Sequence, residues 1–135
     1  MPFKVWLCAA KPGNWKRVKR LNLLGISGRT VKWFSRIRKG DIVLVLVLSP
    51  INAITAVYKV RRPMFKTEEG WDTQVFPYSI GLRPFLNLEK NPISFGALAG
   101  IATENVEVSP YMRAIPMFEL STSVMKKIEQ FATRN

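Results

Sequence analysis

Residues 37–50 have the sequence IRKGDIVLVLVLSP, and this stretch decides the fold. Between the turn residues Lys39-Gly40-Asp41 and Ser49-Pro50, every residue from Ile42 to Leu48 is apolar. An unbroken apolar run bounded by turn residues is typical of a central strand that is buried on both faces, as in a covered sheet or a closed barrel. Because Ile51 to Val60 is rich in β-branched residues, we expect a hairpin around Ser49-Pro50.

The sequence upstream of this hairpin predicts one strand and a basic helix. Phe3 to Ala9 is an aromatic and aliphatic run that ends at the turn residues 11–13, and Asn14 is placed to cap the helix that follows. We expect residues 25–28, Gly-Ile-Ser-Gly, to break this helix, and Val31 to Ile37 to form one or two further helical turns. One face of the first helix is apolar at a spacing of three residues and consists of Trp15, Val18 and Leu21.

Downstream of the hairpin the pattern is less regular. Arg61 to Trp71 is polar and is predicted to be a loop. Val75 to Leu82 predicts a strand that Pro77 confines to an edge or a bulge. Val106 to Val108 is predicted to add one more short strand.

The C-terminal residues predict a last helix. Ser121 is placed to cap it, Leu120 and Met125 form a hydrophobic staple, and the helix is expected to reach about Ala132. Together these elements predict an α+β fold, a small and mostly antiparallel β-barrel flanked by helices, in a single domain of residues 1–135.

The composition excludes several classes of site. The chain is 47% apolar, which is enough to bury a core without metals or disulfides. It contains no histidine and one cysteine, Cys8, which lies in an apolar strand and is expected to be a small buried residue. His-based triads, zinc sites with His and Cys ligands, and disulfides within the chain are therefore excluded. We expect no metal and no cofactor.

Two observations concern the location of the protein. The longest apolar run, residues 42–48, is far shorter than the roughly 20 residues that span a bilayer. The N-terminus also lacks the separate charged and apolar regions of a signal peptide. We therefore expect a cytoplasmic protein.

The charge distribution is strongly one-sided. The chain has 21 Lys and Arg against 9 Asp and Glu, which gives a net charge of +12. Residues 1–39 contain eleven of these cations and no acid, whereas the remainder of the chain is nearly neutral. Such a field attracts polyanions, and RNA or DNA is favoured over a membrane surface because the basic helix has only three apolar residues to insert. The predicted phosphate-binding residues are Lys16, Arg17, Lys19, Arg20, Arg29, Lys32 and Arg36.

Five short segments, taken in order, resemble a known family. They are Trp6 in the first strand, Asn14-Trp15 at the start of the helix, Leu24-Gly25-Ile26, residues 37–41 before the central strand, and Phe76-Pro77-Tyr78. In this order and spacing they resemble the EVE domain. That family belongs to the PUA-like barrels, together with the YTH and ASCH domains.

The resemblance implies a concave pocket that accepts a single, modified nucleobase taken out of its strand. A flipped base needs aromatic rings to stack on, a polar group to read its edge, and cations around the rim for the backbone. The sequence departs from the family at Leu24, where a Trp is usual, and at Ser79, where an Arg is usual; Trp33 or Trp71 is a candidate for the missing wall. The predicted pocket residues are Asn14, Gly25, Ile26, Ser27, Trp33, Pro77 and Tyr78.

Three alternative interpretations accompany this one. On the related ASCH fold, the chain would be a small amidohydrolase that acts on modified nucleosides with a Lys, Thr and Glu set. The Gly-x-x-Gly sequence at residues 25–28 is also found in the loop with which KH domains clamp a nucleic-acid backbone. Finally, the residues proposed to bind nucleic acid can instead have structural roles. Trp6 and Trp15 would then be core residues, Asn14 a helix cap, and residues 16–20 a solvated helix face.

Overall fold

A computed structural model describes residues 3–94, 96–97 and 117–133. Within these residues, one curled half-barrel sheet carries helices on both faces, which confirms the predicted α+β class. No helix in these ranges is long and apolar enough to cross a membrane. The strands are β1 (Val5–Ala10), β2 (Leu23–Ile26), β3 (Ile42–Val47), β4 (Ala53–Lys66), β5 (Tyr78–Asn87), β6 (Ile93–Ser94) and β7 (Met117–Leu120). The helices are α1 (Pro12–Leu21), α2 (Val31–Phe34) and α3 (Ser123–Thr133), and a 3-10 turn covers Gly28–Thr30.

The strand order is β2-β5-β4-β3-β1-β7, and β6 pairs with β4 outside this path. Every pairing is antiparallel except that between β1 and β3, so the prediction of a mostly antiparallel sheet is confirmed. The strand at residues 106–108 lies outside the described residues.

The apolar run of β3 is explained by a separate core on each face of the sheet. Val43, Val45 and Val47 point into one cluster together with Trp15 and Val18 of α1, which we call the α1 core. The alternate residues of β3 point into a second cluster with α3, which we call the α3 core; they are Ile42, Leu44 and Leu46. Because both faces are covered, all six residues of β3 are buried and no polar alternation is possible.

The prediction of a loop at residues 61–71 is wrong for residues 61–66, which belong to β4. β4 continues to Lys66 because β5 supplies a partner, with Arg62 opposite Gly81 and Phe65 opposite Ser79. Three shifts of register along this ladder explain why polar residues and prolines are tolerated in it.

The predicted strand at residues 75–82 begins and ends later than expected. The backbone N–H of Phe76 bonds back to the carbonyl of Asp72 at 2.7 Å, so this part forms a turn. β5 starts at Tyr78, directly after Pro77, and runs on to Asn87. Proline therefore ends the turn and precedes the strand, where it removes no ladder hydrogen bond.

Two expectations for the first helix are wrong. α1 starts at Pro12, so Asn14 lies in its first turn and Lys11 is the N-cap residue, without a side-chain cap. Proline is favoured at the start of a helix because its missing N–H would be unpaired there in any case. The helix ends at Leu21 and is capped by Asn22, which has the left-handed φ of 54°, so it does not reach residues 25–28.

The segment after Asn22 is a strand, not a loop. β2 pairs antiparallel with β5, with Gly25 opposite Ser79 and Ile26 opposite Tyr78. Two residues of the Gly-x-x-Gly sequence therefore belong to a strand, which contradicts the KH interpretation. The helical turns predicted for Val31 to Ile37 are present, as α2 and one further turn.

The last helix agrees with its prediction. α3 ends at Thr133, and the Ser121 hydroxyl accepts a hydrogen bond from the N–H of Ser123 at 3.4 Å. Leu120 and Met125 are both buried in the α3 core.

Candidate nucleic-acid interface

Helix α1 presents an apolar face to the sheet and a cationic face to solvent. Trp15 and Val18 are buried, and the Trp15 ring meets Tyr58 edge-on at 6.4 Å, so Trp15 is a core residue. The four predicted phosphate-binding residues of this helix are all exposed: Lys16, Arg17, Lys19 and Arg20. Because the apolar face of α1 packs against the sheet, its cationic face points to solvent.

Most of this charge is not neutralised by carboxylates of the residues that the structure describes. Lys19 pairs with Glu89 at 3.0 Å. Lys16, Arg17 and Arg20 form no ion pair with any carboxylate of the described residues. Lys19 and Arg20 lie in the last turn of α1, where cations are stabilised by the helix dipole. Lys16 and Arg17 lie before this last turn.

Residues 28–36, which contain the 3-10 turn, α2 and the turn after it, add three exposed cations. Arg29 and Lys32 have no carboxylate partner among the described residues, whereas Arg36 lies 3.7 Å from Glu119 and 5.2 Å from the ring centre of Trp6. Phe34 is buried in the α1 core, so α2 covers the same face of the sheet as α1. We call the seven predicted phosphate-binding residues together the basic surface.

Trp33 lies within the basic surface and is partly exposed. Its ring packs against the α1 core, and the Lys32 ammonium lies 4.6 Å from the ring centre. The neighbouring Phe34 is the ring that points inward, with 5% of its surface exposed. Trp33 is thus accessible, and its role as a pocket wall stays a prediction.

Five of the seven predicted pocket residues come together at one end of the β2–β5 ladder. Gly25 and Ile26 face Ser79 and Tyr78 across it, and Ser27 and Pro77 are their chain neighbours. Ile26 is fully buried, so it offers no side chain to a ligand. The other two residues lie elsewhere: Asn14 on α1 and Trp33 on α2.

Ser27 joins this end of the ladder to α2. Its hydroxyl lies 3.1 Å from that of Thr30, and its carbonyl accepts the Thr30 hydroxyl at 3.0 Å. The 3-10 turn between them leads directly into α2, which carries Trp33. Asn14 shares no hydrogen bond with this group, and its side chain has no partner among the described residues.

Trp71 lies beside the predicted pocket residues, against β2. Its ring lies against the backbone of Gly25 so closely that a Cβ at Gly25 would come within 2.7 Å of Trp71 Cδ2. Its Nε1–H donates to the Leu23 carbonyl at 3.1 Å, and Phe76 meets the ring edge-on at 4.8 Å. The Arg17 guanidinium lies 5.5 Å from the ring centre. Trp71 is therefore fixed between α1 and β2, with 6% of its surface exposed.

Both departures from the EVE pattern are buried. Leu24 is part of the α1 core, and Ser79 is fully buried with its hydroxyl 2.8 Å from that of Thr67. Ser79 therefore has no access to a ligand on the surface.

Two ionisable groups near the core are held neutral. Burial raises the pKa of the Cys8 thiol to about 12, so it is a poor nucleophile at neutral pH. Burial, assisted by Glu89, also raises the pKa of Tyr58 to about 12. Among the described residues, no group of three or more His, Cys, Asp and Glu side chains is arranged to hold a metal ion.

This architecture, a curled half-barrel with α1 and α3 on opposite faces, is the PUA-like fold in the form that YTH domains have. No protein-family model matches the sequence, and no curated protein does. The likeness is therefore one of structure.

Three solved structures illustrate it. A hypothetical protein from Leishmania major is similar with a TM-score of 0.73 at 12% identity, over 98% of this chain and 96% of that one. The YTH domain of Pho92 in complex with m6A has a TM-score of 0.72 at 13% identity, over 98% of this chain and 85% of that one. The YTH domain of Mmi1 in complex with RNA has a TM-score of 0.70 at 7% identity, over 97% of this chain and 78% of that one. At these identities the comparisons establish the fold, and the narrower resemblance to the EVE domain stays a prediction.

Proposed function

We propose that this protein is a non-catalytic nucleic-acid-binding module that binds single-stranded RNA through the basic surface. The observation that carries the proposal is the set of exposed cations without a carboxylate partner among the described residues: Lys16, Arg17, Arg20, Arg29 and Lys32. They lie on elements that cover one face of the sheet. Phosphates would neutralise them, with release of counterions as the driving force.

We further propose that a single, modified base stacks on Trp33. The partly exposed ring next to the Lys32 ammonium provides a π face beside a cation, which is the combination that single-strand binding uses. Ser27 supplies a hydroxyl in the turn that leads to Trp33, where it lies 3.1 Å from the Thr30 hydroxyl. The similar fold of the Pho92 YTH domain, solved in complex with m6A, supports this proposal.

The test is titration with single-stranded oligonucleotides, using Lys16→Ala and Arg20→Ala singly and together. Each lost phosphate contact should lower the log–log salt slope by about 0.7 and weaken binding to every sequence alike. Lys126→Ala is the matched control, because Lys126 is also an exposed helix lysine but lies on α3, across the sheet. Equal effects of Lys16→Ala and Lys126→Ala would contradict the role of the basic surface.

The same preparations test the enzymatic alternative. Modified nucleosides, including N-acylated ones, are incubated with the protein and the products are analysed. Catalysed loss of an acyl group would replace the proposed function by that of an amidohydrolase, whereas binding without turnover supports it.

A further inference from the structure

A second cluster of cations lies on the ladder between β4 and β5. Lys59 and Arg83 are directly opposite each other in this ladder, so two like charges share one cross-strand position. The Lys59 ammonium lies 4.7 Å from the ring centre of Phe85, two residues beyond Arg83. The Arg61 guanidinium covers Gly81, since a Cβ there would meet its Nη2 at 3.0 Å. We call Lys59, Arg61, Arg83 and Phe85 the β4–β5 patch.

This patch lies on the opposite face of the sheet from the basic surface. Tyr58 and Val60, on either side of Lys59 in the chain, point into the α1 core. Lys59 is opposite Ile42, and Ile42 and Val57 belong to the α3 core. The patch therefore continues the face that α3 covers, at the end of the sheet where β4 and β5 are exposed.

The charge of the patch is not balanced by the described part of the protein. Lys59, Arg61 and Arg83 form no ion pair with a carboxylate there. Phe85 is a large apolar side chain with 39% of its surface exposed. Like charges placed directly opposite destabilise an antiparallel pair, and an anion between them would remove that repulsion.

We propose that the β4–β5 patch is a second nucleic-acid contact surface, which binds a single-stranded segment with its phosphates on Lys59, Arg61 and Arg83 and a base stacked on Phe85. A cation beside the exposed Phe85 ring, with Arg83 opposite it and Arg61 further along the ladder at Gly81, matches the alternation of bases and phosphates in a single strand. A duplex would offer the ring no unstacked base. The proposal goes beyond the function proposed above, because it concerns a separate site that is occupied independently of the basic surface.

The experiment measures binding of two oligonucleotides. One has about 6 nucleotides, within the usual site size of a single surface, and the other has about 20. The patch variant is Arg61→Gln with Arg83→Gln, and the comparison variant is Lys16→Ala with Arg20→Ala on α1. Thermal unfolding shows that each variant is folded. Phe85→Leu, which keeps an apolar side chain but removes the ring, serves as a second probe that does not alter charge.

We expect the wild type to bind two of the short oligonucleotides at low salt and the patch variant to bind one. For the long oligonucleotide, the patch variant should lower the salt slope by about 1.4, or about 0.7 for each lost contact. Phe85→Leu should weaken binding several-fold with an unchanged slope.

A patch variant with wild-type stoichiometry and slope would overturn the proposal, and the proposed function would stand if the α1 variant is still impaired. If the α1 variant binds normally and the patch variant does not, the proposed function fails while the second site remains. Binding to vesicles of phosphatidylserine and phosphatidylcholine is measured last. If the patch variant loses vesicle binding but keeps oligonucleotide binding, the patch is a membrane contact and the proposal is contradicted.

Discussion

At the scale of single residues, the close contact between Gly25 and Trp71 determines how the β2 edge is built. Glycine is required at this position because the indole ring occupies the space of a side chain. The sequence does not reveal this contact, since the two residues are 46 positions apart and only the tertiary fold brings them together. The spacing of residues in α1, by contrast, was sufficient to predict that Trp15 is buried and Lys16 exposed, because helical geometry is local.

Gly25→Ala should therefore destabilise the protein, because the new methyl group forces Trp71 away from Leu23 and Phe76. We expect a loss of about 1 to 3 kcal/mol in the free energy of unfolding, as for other overpacked sites. Gly28→Ala is the matched control, since a Cβ there meets nothing within 4 Å. Chemical denaturation measures both, and equal stabilities of the two variants would contradict the contact.

Asp41 is a second residue whose role is structural. Its buried carboxylate accepts hydrogen bonds from the N–H of Lys4 at 3.0 Å, from Trp6 Nε1 at 2.9 Å and from the N–H of Arg38 at 2.9 Å. These bonds tie the start of β1 to the turn before β3. The glycine-aspartate pair that helped to suggest the family thus has a physical reason in this fold.

Asp41→Asn replaces one acceptor oxygen by an NH₂ group and leaves at least one buried donor unpaired. We expect a loss of about 1 to 3 kcal/mol in unfolding free energy. Asp72→Asn, at an exposed turn position, should change stability by much less. A melting temperature for Asp41→Asn as high as that of Asp72→Asn would show that the buried bonds contribute nothing.

At the scale of elements, the hairpin of β3 with the first part of β4 was predictable, whereas β2, the end of β4 and the bounds of β5 were not. The apolar run of β3 predicts burial on both faces from composition alone, and the two cores explain it. Residues 61–66 have polar and proline-containing sequence, so their strand conformation depends on the partner that β5 provides. β2 was missed for a similar reason: Gly25 has low strand propensity, and its place in the sheet is fixed by pairing and by Trp71.

Trp33 on α2 has two candidate roles, base stacking and core packing, and one variant can separate them. If a base stacks on this ring, Trp33→Ala should lose about 1 to 3 kcal/mol of binding with little change in salt slope. Because the ring is only partly buried, its stability loss should be smaller than the roughly 3 to 5 kcal/mol expected for the buried Trp15→Ala. Unfolding and titration on the same preparation measure both quantities. Full affinity together with a stability loss equal to that of Trp15→Ala would assign Trp33 to the core alone.

At the scale of the whole molecule, one sheet separates two cores and also two cationic regions. The basic surface was predictable, because the charge of residues 1–39 is visible in the sequence and local spacing places it on exposed faces. The β4–β5 patch was not, because its members come from two strands whose register is fixed only by the fold. The predicted pocket residues were brought together at the β2–β5 end, with the exceptions of Asn14 and Trp33, which lie on helices.

The measurement that tests the central claim most directly is the salt dependence of single-stranded RNA binding by the wild type and by a variant with Lys16, Arg20, Arg29 and Lys32 all replaced by Ala. These four side chains are exposed and have no carboxylate partner among the described residues, so the variant should fold normally. The account predicts a steep wild-type slope that falls by about 3 in the variant, with equal weakening for all sequences. A folded variant with the wild-type slope, or a wild type whose affinity does not change with salt, would contradict it.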